Sequence, residues 1–130
     1  MIVIDASAVV AMLLRLGQAE RILDRAFADG ETLHAPHVID VEVAQVVRRY
    51  WRAGDITAAR GEEALRDLAI IPIHRYSHEP LLGRIWRLRN NVTAYDAAYI
   101  ALAEGLGAVL LTLDSALARV PGVRAPVEVY

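Results

Sequence analysis

The first fourteen residues constrain the fold more than any other stretch of this chain. Ile2–Ile4 is a short run of β-branched residues that leads directly into Asp5 and then into Ala6–Leu14, which is apolar apart from Ser7. A short apolar run followed by a helical one is typical of a buried parallel strand that feeds a helix. Because ligands bind such sheets beyond the carboxyl ends of the strands, Asp5 is predicted to be the first residue of an acidic site.

Length and composition predict one domain, residues 1–130, with a core large enough to need no disulfide. The chain has no Cys, and 55% of its residues are hydrophobic. All fourteen basic residues are Arg, and the net charge of −2 excludes general electrostatic adhesion to nucleic acid but leaves local Arg patches open.

Neither long apolar stretch has the features of a targeting or membrane segment. The amino terminus has no basic start and is interrupted by Asp5, while Ala97–Leu113 carries Glu104 and two glycines. We therefore expect a soluble, cytoplasmic protein with no membrane partner.

Strand and helix patterns alternate along the rest of the chain. Helices are predicted at Gln18–Ala28, His37–Ala53, Thr57–Ala69, Pro80–Arg89 and Thr93–Glu104, with a short one between Asp114 and Val120. Strands are predicted at Thr32–Ala35, Ile70–Ile73, Ala108–Thr112 and Val127–Tyr130; Pro72 favours an edge position for the second of these. The pattern predicts the α/β class, a parallel sheet between two helical layers.

Four carboxylates lie at the ends or margins of these elements. Asp5 and Asp114 each follow an apolar strand. Asp96 stands at the start of the apolar helix that precedes the strand Ala108–Thr112. Glu42 lies at the edge of the apolar face of the helix His37–Ala53. Each acid alone also has an ordinary structural interpretation, as a helix cap, part of a capping box or a solvated boundary residue. Their convergence depends on the strand order.

If the four acids do converge, mutual repulsion demands a counter-ion. Like charges about 4 Å apart cost on the order of 4 kcal/mol per pair at an effective dielectric near 20. A helix N-terminus returns only about 0.3–1 kcal/mol. Oxygen ligands without Cys favour Mg²⁺ or Mn²⁺, and such an ion points to phosphodiester hydrolysis by a metal-activated water.

Four segments, taken in order, resemble the signature blocks of PIN-domain ribonucleases, and in particular of VapC toxins from bacterial toxin–antitoxin pairs. The resemblance covers the whole chain. The segments are Ile2–Ser7, Glu42–Ala44, Tyr95–Tyr99 and Thr112–Asp114.

The resemblance implies a Mg²⁺- or Mn²⁺-dependent endoribonuclease whose acidic set is Asp5, Glu42, Asp96 and Asp114. It also implies a three-layer α/β/α sandwich with five parallel strands in the order 3-2-1-4-5, a homodimer, a VapB-like antitoxin, and cleavage products with 5′-phosphate and 3′-hydroxyl ends. The supporting positions that match are Ser7, Thr112 and Gln45, the last of which stands where the family often has Asn.

In the mechanism that we expect, Asp5, Asp96 and Asp114 contact the metal directly or through water. Glu42 is predicted to belong to the same metal-binding set and to orient or deprotonate the attacking water. Tyr95 either stacks on a base or fills the core, and the core is the favoured interpretation. The four histidines show no ligand spacing and are interpreted as surface or structural residues. Arginines that are candidates for contacting RNA phosphates are Arg49, Arg52 and Arg87.

Three other classes of protein share part of this residue pattern. A haloacid-dehalogenase-type phosphatase needs a second Asp where Ser7 stands and also a Lys, and a response-regulator receiver needs the same Lys; the chain has none. A catalytically weak PIN-like module that binds RNA or protein stays open, because sequence alone does not measure turnover.

Overall fold

A computed structural model describes residues 1–130 and contains one five-stranded sheet in which every pairing is parallel. The strand order is β3-β2-β1-β4-β5, which confirms the order implied by the resemblance. The strands are β1 (Ile2–Ile4), β2 (Leu33–Pro36), β3 (Ile73–Tyr76), β4 (Val109–Thr112) and β5 (Val127–Val129).

Six α-helices connect and cover the strands, as expected for the α/β class. They are α1 (Ala6–Leu14), α2 (Ala19–Ala26), α3 (Ile39–Arg52), α4 (Ala58–Ile70), α5 (Leu82–Arg87) and α6 (Ala94–Leu106). Helix α1 packs against α2, α3 and α4, while α6 packs against α5 and against β1, β2 and β4. None of these helices combines the length and the apolar character that a membrane span needs.

The core is built from the two strands with uninterrupted apolar sequence and from the helix that leads into the second of them. Every residue of β1 is inaccessible to solvent, and so are Leu110 and Leu111 of β4. In α6 the seven consecutive residues Ala97–Ala103 are all buried. A helix that is apolar all round belongs inside a protein, so this central position follows directly from its sequence.

The sequence prediction was wrong about where β3 begins. The apolar run Ile70–Ile73 was predicted to be a strand, but Ile70 ends α4 and the strand starts only at Ile73. A short apolar run fits either the end of a helix or a strand, and periodicity alone does not separate the two. Pro72 lies between them, and β3 is the edge strand that this proline suggested.

Two predicted helices are shorter than expected. The segment Pro80–Arg89 begins with a 3-10 turn at Glu79–Leu81 and continues as the brief helix α5, and only a 3-10 turn at Leu117–Arg119 follows β4. Pro80 has no backbone N–H to donate, so it is suited to the first turn and not to a helix interior.

The register of the two central strands determines which residues meet at the carboxyl edge of the sheet. Ile4 of β1 is paired with Leu111 of β4, and the backbone N–H of Asp5 donates to the Leu111 carbonyl at 3.1 Å. Asp5, which follows β1, and Thr112, the last residue of β4, are therefore neighbours.

Candidate active site

Asp5 lies at the junction between β1 and α1 and is held by three hydrogen bonds. Its Oδ1 accepts from the Ser7 hydroxyl at 2.6 Å and from the Ala8 backbone N–H at 2.9 Å, which makes Asp5 the N-cap of α1. Its Oδ2 accepts from the Thr112 hydroxyl at 2.5 Å. The residue is 7% exposed, and burial raises the pKa of its carboxyl although the three hydrogen bonds oppose that effect.

The segment after β4 is tied to the same point by the hydroxyls of Ser7 and Thr112. Ser7 Oγ accepts from the Leu113 N–H at 3.0 Å, and Thr112 Oγ1 accepts from the Asp114 N–H at 2.9 Å. Asp114 is exposed, and its Oδ1 accepts from the Ala116 N–H at 2.8 Å in a local turn. Asp114 therefore caps a turn and is also placed beside the end of β1.

Asp96 stands in the first turn of α6. The Thr93 hydroxyl accepts from the Asp96 N–H at 3.3 Å, but no reciprocal bond joins the Asp96 carboxylate to the Thr93 N–H, so only half of the capping box forms. The carboxylate is partly buried, and its pKa is raised by burial and then by the negative charge of Asp114. The Thr93 side chain opposes this rise in the pKa of Asp96 by a hydrogen bond.

Glu42 lies on α3 and faces α6. Its Oε2 accepts a hydrogen bond of 2.5 Å from the hydroxyl of Tyr99. Its pKa is raised by burial and, to a smaller extent, by the charges of Asp96 and Asp5. The helical-wheel prediction placed Glu42 at the margin of the core, and the side chain is partly buried as that predicts.

The four carboxylates lie in one region at the carboxyl edge of the sheet. Thr112 joins Asp5 to Asp114, and Tyr99 joins Glu42 to α6, whose first turn carries Asp96. Asp96 acts on the pKa of Asp5 and of Glu42, and Asp114 acts on that of Asp96. None of the four forms an ion pair with an Arg or His. The region is thus a concentration of negative charge without a protein counter-ion.

The residues fit a hard divalent cation that keeps part of its water shell. No three Asp, Glu or His side chains lie close enough together to ligate one ion directly. Mg²⁺ commonly binds through one or two carboxylates and retains several waters, so its binding does not require three protein ligands. The all-oxygen character of the donors favours Mg²⁺ or Mn²⁺ over zinc.

Several residues predicted at the site are not drawn into it. Gln45 lies on the solvent side of α3, and its side chain is exposed and makes no hydrogen bond. Arg49, Arg52 and Arg87 are exposed and unpaired, which is compatible with binding an anion but identifies none.

Tyr95 was predicted to fill the core, and that prediction was wrong. Its side chain is 60% exposed and lines an apolar groove of about 220 Å³. The groove is completed by Val38, His78, Leu82, Ile85, Ala94 and Ala98.

The histidines were predicted to be surface or structural residues; His34 and His78 make hydrogen bonds within the fold, and His37 and His74 are exposed. His34 Nδ1 is 2.9 Å from the Tyr76 hydroxyl and its Nε2 is 2.8 Å from the Thr32 hydroxyl. His78 Nε2 accepts from the Val38 N–H at 3.0 Å.

Tyr99 has no role predicted from the sequence, although it lies within Tyr95–Tyr99, one of the four segments that resemble PIN-domain signature blocks. Tyr99 follows Asp96 by three positions, and residues three apart lie on the same face of a helix. It is also a side chain with a polar end in an otherwise apolar stretch, and a buried Tyr hydroxyl usually finds a partner. These two signals indicate a contact near Asp96, but the identity of the partner depends on how α3 packs.

Comparison with known families agrees with the fold. The PIN domain profile matches residues 2–123. Fold and site thus define a PIN-domain protein.

Curated relatives refine this classification. Ribonuclease VapC9 of Mycobacterium tuberculosis (strain H37Rv) is 40% identical over 129 residues, covering 99% of this chain and 98% of the relative. Ribonuclease VapC1 of the same strain is 40% identical over 127 residues, covering 97% and 95%. The chain therefore belongs to the VapC family of PIN-domain proteins.

Solved structures agree with the architecture. VapBC2 from Rickettsia felis, bound to a DNA fragment from its promoter, superposes with a TM-score of 0.71 at 13% identity, covering 98% of each chain. VapC20 of Mycobacterium tuberculosis, described as a Sarcin-Ricin loop cleaving toxin, gives a TM-score of 0.71 at 13% identity, covering 95% of this chain and 97% of the other. At these identities the likeness concerns the fold.

Proposed function

We propose that this chain is a Mg²⁺- or Mn²⁺-dependent endoribonuclease that acts as the toxin of a toxin–antitoxin pair. The observation that carries the proposal is the group of four carboxylates without a counter-ion at the carboxyl edge of the sheet. The relatives at 40% identity are named as ribonucleases, which supports RNA as the substrate.

Each acidic residue has a proposed task. Asp5, Asp96 and Asp114 would hold the cation, directly or through water. Glu42, the fourth residue of this metal-binding set, orients or deprotonates the water that attacks the phosphorus atom. The cation supplies charge neutralisation and a more acidic water. Ser7 and Thr112 orient the Asp5 carboxylate through their hydroxyls, and their hydrogen bonds favour its ionised form. In-line attack leaves a 5′-phosphate and a 3′-hydroxyl.

The proposed partners are a VapB-like antitoxin and a second copy of the chain. The solved neighbour from Rickettsia felis is a VapBC assembly, which supports the antitoxin. The homodimer is a proposal from family resemblance, and light scattering of the purified chain tests it. The exposed Arg49, Arg52 and Arg87 are the proposed contacts to RNA phosphates.

The decisive experiment is an RNA cleavage assay with Mg²⁺ or Mn²⁺, repeated with EDTA and with Asp5→Asn. We expect cleavage that is lost under both conditions and 5′-phosphate ends on the products. Cleavage that survives EDTA and Asp5→Asn overturns the metal mechanism. Absence of cleavage, together with retained RNA binding, favours the catalytically weak binding module.

A further inference from the structure

Tyr99 connects the two helices that carry Glu42 and Asp96. Its side chain is 2% exposed, and its hydroxyl donates a hydrogen bond of 2.5 Å to Glu42 Oε2. The contact joins α6 to α3 across 57 positions of sequence. Tyr99 also lies one turn after Asp96, so both side chains leave the same face of α6.

The hydrogen bond from Tyr99 is the only one that the Glu42 carboxylate receives from the protein. Its other oxygen, Oε1, accepts no hydrogen bond from the protein and is not fully buried. Asp5, by comparison, accepts three hydrogen bonds and has both oxygens engaged. A glutamate side chain has several rotatable bonds, and a single anchor at Oε2 limits its motion while leaving Oε1 available.

We propose that Tyr99 is a positioning residue that holds Glu42 through Oε2 and keeps Oε1 free for the water of the hydrolytic reaction. This inference rests on the proposed ribonuclease function and extends it to a residue with no assigned role. Partners behind a reactive group set its orientation, and a displacement of about 1 Å is enough to reduce the rate strongly.

The chemistry of the phenol suits this task. An ordinary tyrosine phenol, with a pKa of about 10, is protonated at neutral pH. The Tyr99 hydroxyl therefore acts as a donor in its hydrogen bond to Glu42. A phenol that donates to a carboxylate makes a charge-assisted hydrogen bond, which is shorter and stronger than a neutral one.

The first test compares Tyr99→Phe with Tyr76→Phe under single-turnover conditions with Mn²⁺. Both changes remove one phenolic hydroxyl that is hydrogen-bonded in the fold, but Tyr76 contacts His34 on the edge of the sheet. We expect Tyr99→Phe to reduce the cleavage rate roughly 10- to 100-fold, with KM for RNA unchanged. Tyr76→Phe should leave both quantities unchanged.

The second test is a double-mutant cycle with Glu42→Ala. If Tyr99 acts through Glu42, Tyr99→Phe slows the parent protein but adds no further loss to Glu42→Ala. The same four proteins are titrated with Mn²⁺ by calorimetry without RNA, and the same non-additive pattern is expected in the Mn²⁺ affinity.

The outcomes separate this inference from the proposed function. Equal effects of Tyr99→Phe in both backgrounds overturn it, and so does a Tyr99→Phe protein that matches the parent in cleavage rate and Mn²⁺ affinity. If the parent cleaves no RNA, the ribonuclease proposal fails, and the calorimetric cycle still decides whether Tyr99 positions Glu42. A parent that binds no Mn²⁺ overturns both.

Discussion

The hydroxyl of Thr112 donates a hydrogen bond of 2.5 Å to Oδ2 of Asp5, which lies 107 positions earlier in the sequence. The same oxygen accepts from the Asp114 N–H at 2.9 Å, so one side chain contacts two of the four acidic residues. Thr112 is completely buried. This one hydroxyl couples the carboxyl ends of the two central strands.

Replacing Thr112 with Val removes the hydroxyl and keeps the shape of the side chain. We expect a loss of roughly 1–3 kcal/mol in the free energy of unfolding, because a buried carboxylate oxygen loses its donor. The RNA cleavage rate should fall as well, since Asp5 is then held only through Oδ1. Urea unfolding and a cleavage assay measure the two effects.

Thr112→Ser is the matched control, since it keeps the hydroxyl and removes only a methyl group. It should retain most of the activity that Thr112→Val loses. Equal activity in the Ser and Val variants would show that the hydrogen bond has no functional importance.

Glu104 predicts a dependence of stability on pH. Its side chain is 6% exposed, and it accepts hydrogen bonds from Arg84 Nε at 2.7 Å and from the Arg124 N–H at 2.9 Å. Burial pushes the pKa of Glu104 upward, but the hydrogen bonds from Arg84 and Arg124 prevail and lower it to about 2. The ionised group therefore stabilises the fold fully above its ordinary pKa, and that stabilisation is lost as the pH falls towards about 2.

Glu104→Gln should lower the free energy of unfolding by roughly 2–3 kcal/mol at pH 7. The difference from the parent should shrink steadily below pH ~4.5, where the unfolded carboxylate takes up its proton. Urea unfolding across this pH range provides the measurement. Glu63→Gln is the control, because its pair with Arg60 is exposed and worth at most about 1 kcal/mol. A constant difference at every pH would contradict the assignment.

Arg49 is predicted to contribute to RNA binding through its charge. Arg49→Ala should raise KM for RNA several-fold and leave the cleavage rate at saturating RNA unchanged. The salt dependence of KM should also weaken, by a slope of about 0.7 for one phosphate contact on a single strand. Arg66→Ala, which removes another exposed and unpaired arginine, serves as the comparison. Identical salt slopes for Arg49→Ala and the parent would exclude a phosphate contact.

Tyr95 is predicted to affect RNA binding and not stability. The ring is 60% exposed beside Asp96, so Tyr95→Ala should change the free energy of unfolding by no more than about 0.5 kcal/mol. If a base stacks on the ring, KM should rise about fivefold or more. Thermal melting and cleavage kinetics test the two parts separately. A strongly lowered melting temperature would restore the core interpretation.

Most of the fold could be predicted from the sequence, because its most regular elements have unambiguous patterns. The run Ile2–Ile4 and the apolar helix α6 occupy the centre of the molecule that their sequences require. The order of the strands was predicted from family resemblance, since an apolar pattern alone does not indicate which strands pair with each other. The start of β3 was misplaced because the residues around Pro72 suit a helix end as well as a strand.

The acidic residues were identified from the sequence, whereas their hydrogen-bond partners were only partly accessible. Ser7 and Thr112 lie within two residues of an acid, so their hydroxyls were natural candidates. Tyr99 and Glu42 are far apart in the chain and meet only because α3 and α6 come together. The exposure of Tyr95 was not predicted, because the sequence around an aromatic residue at the start of an apolar helix does not distinguish a core position from a surface one.

The pairing of β4 with β1 has a consequence for synthesis of the protein. Because Asp5 meets Thr112 and Asp114 only after β4 has docked, a growing chain that has not yet reached these residues lacks part of the acidic group. Such pairing between distant segments is slow compared with local helix formation. The acidic region at the carboxyl edge of the sheet is therefore among the last features of the molecule to form, and a prematurely terminated chain never acquires it.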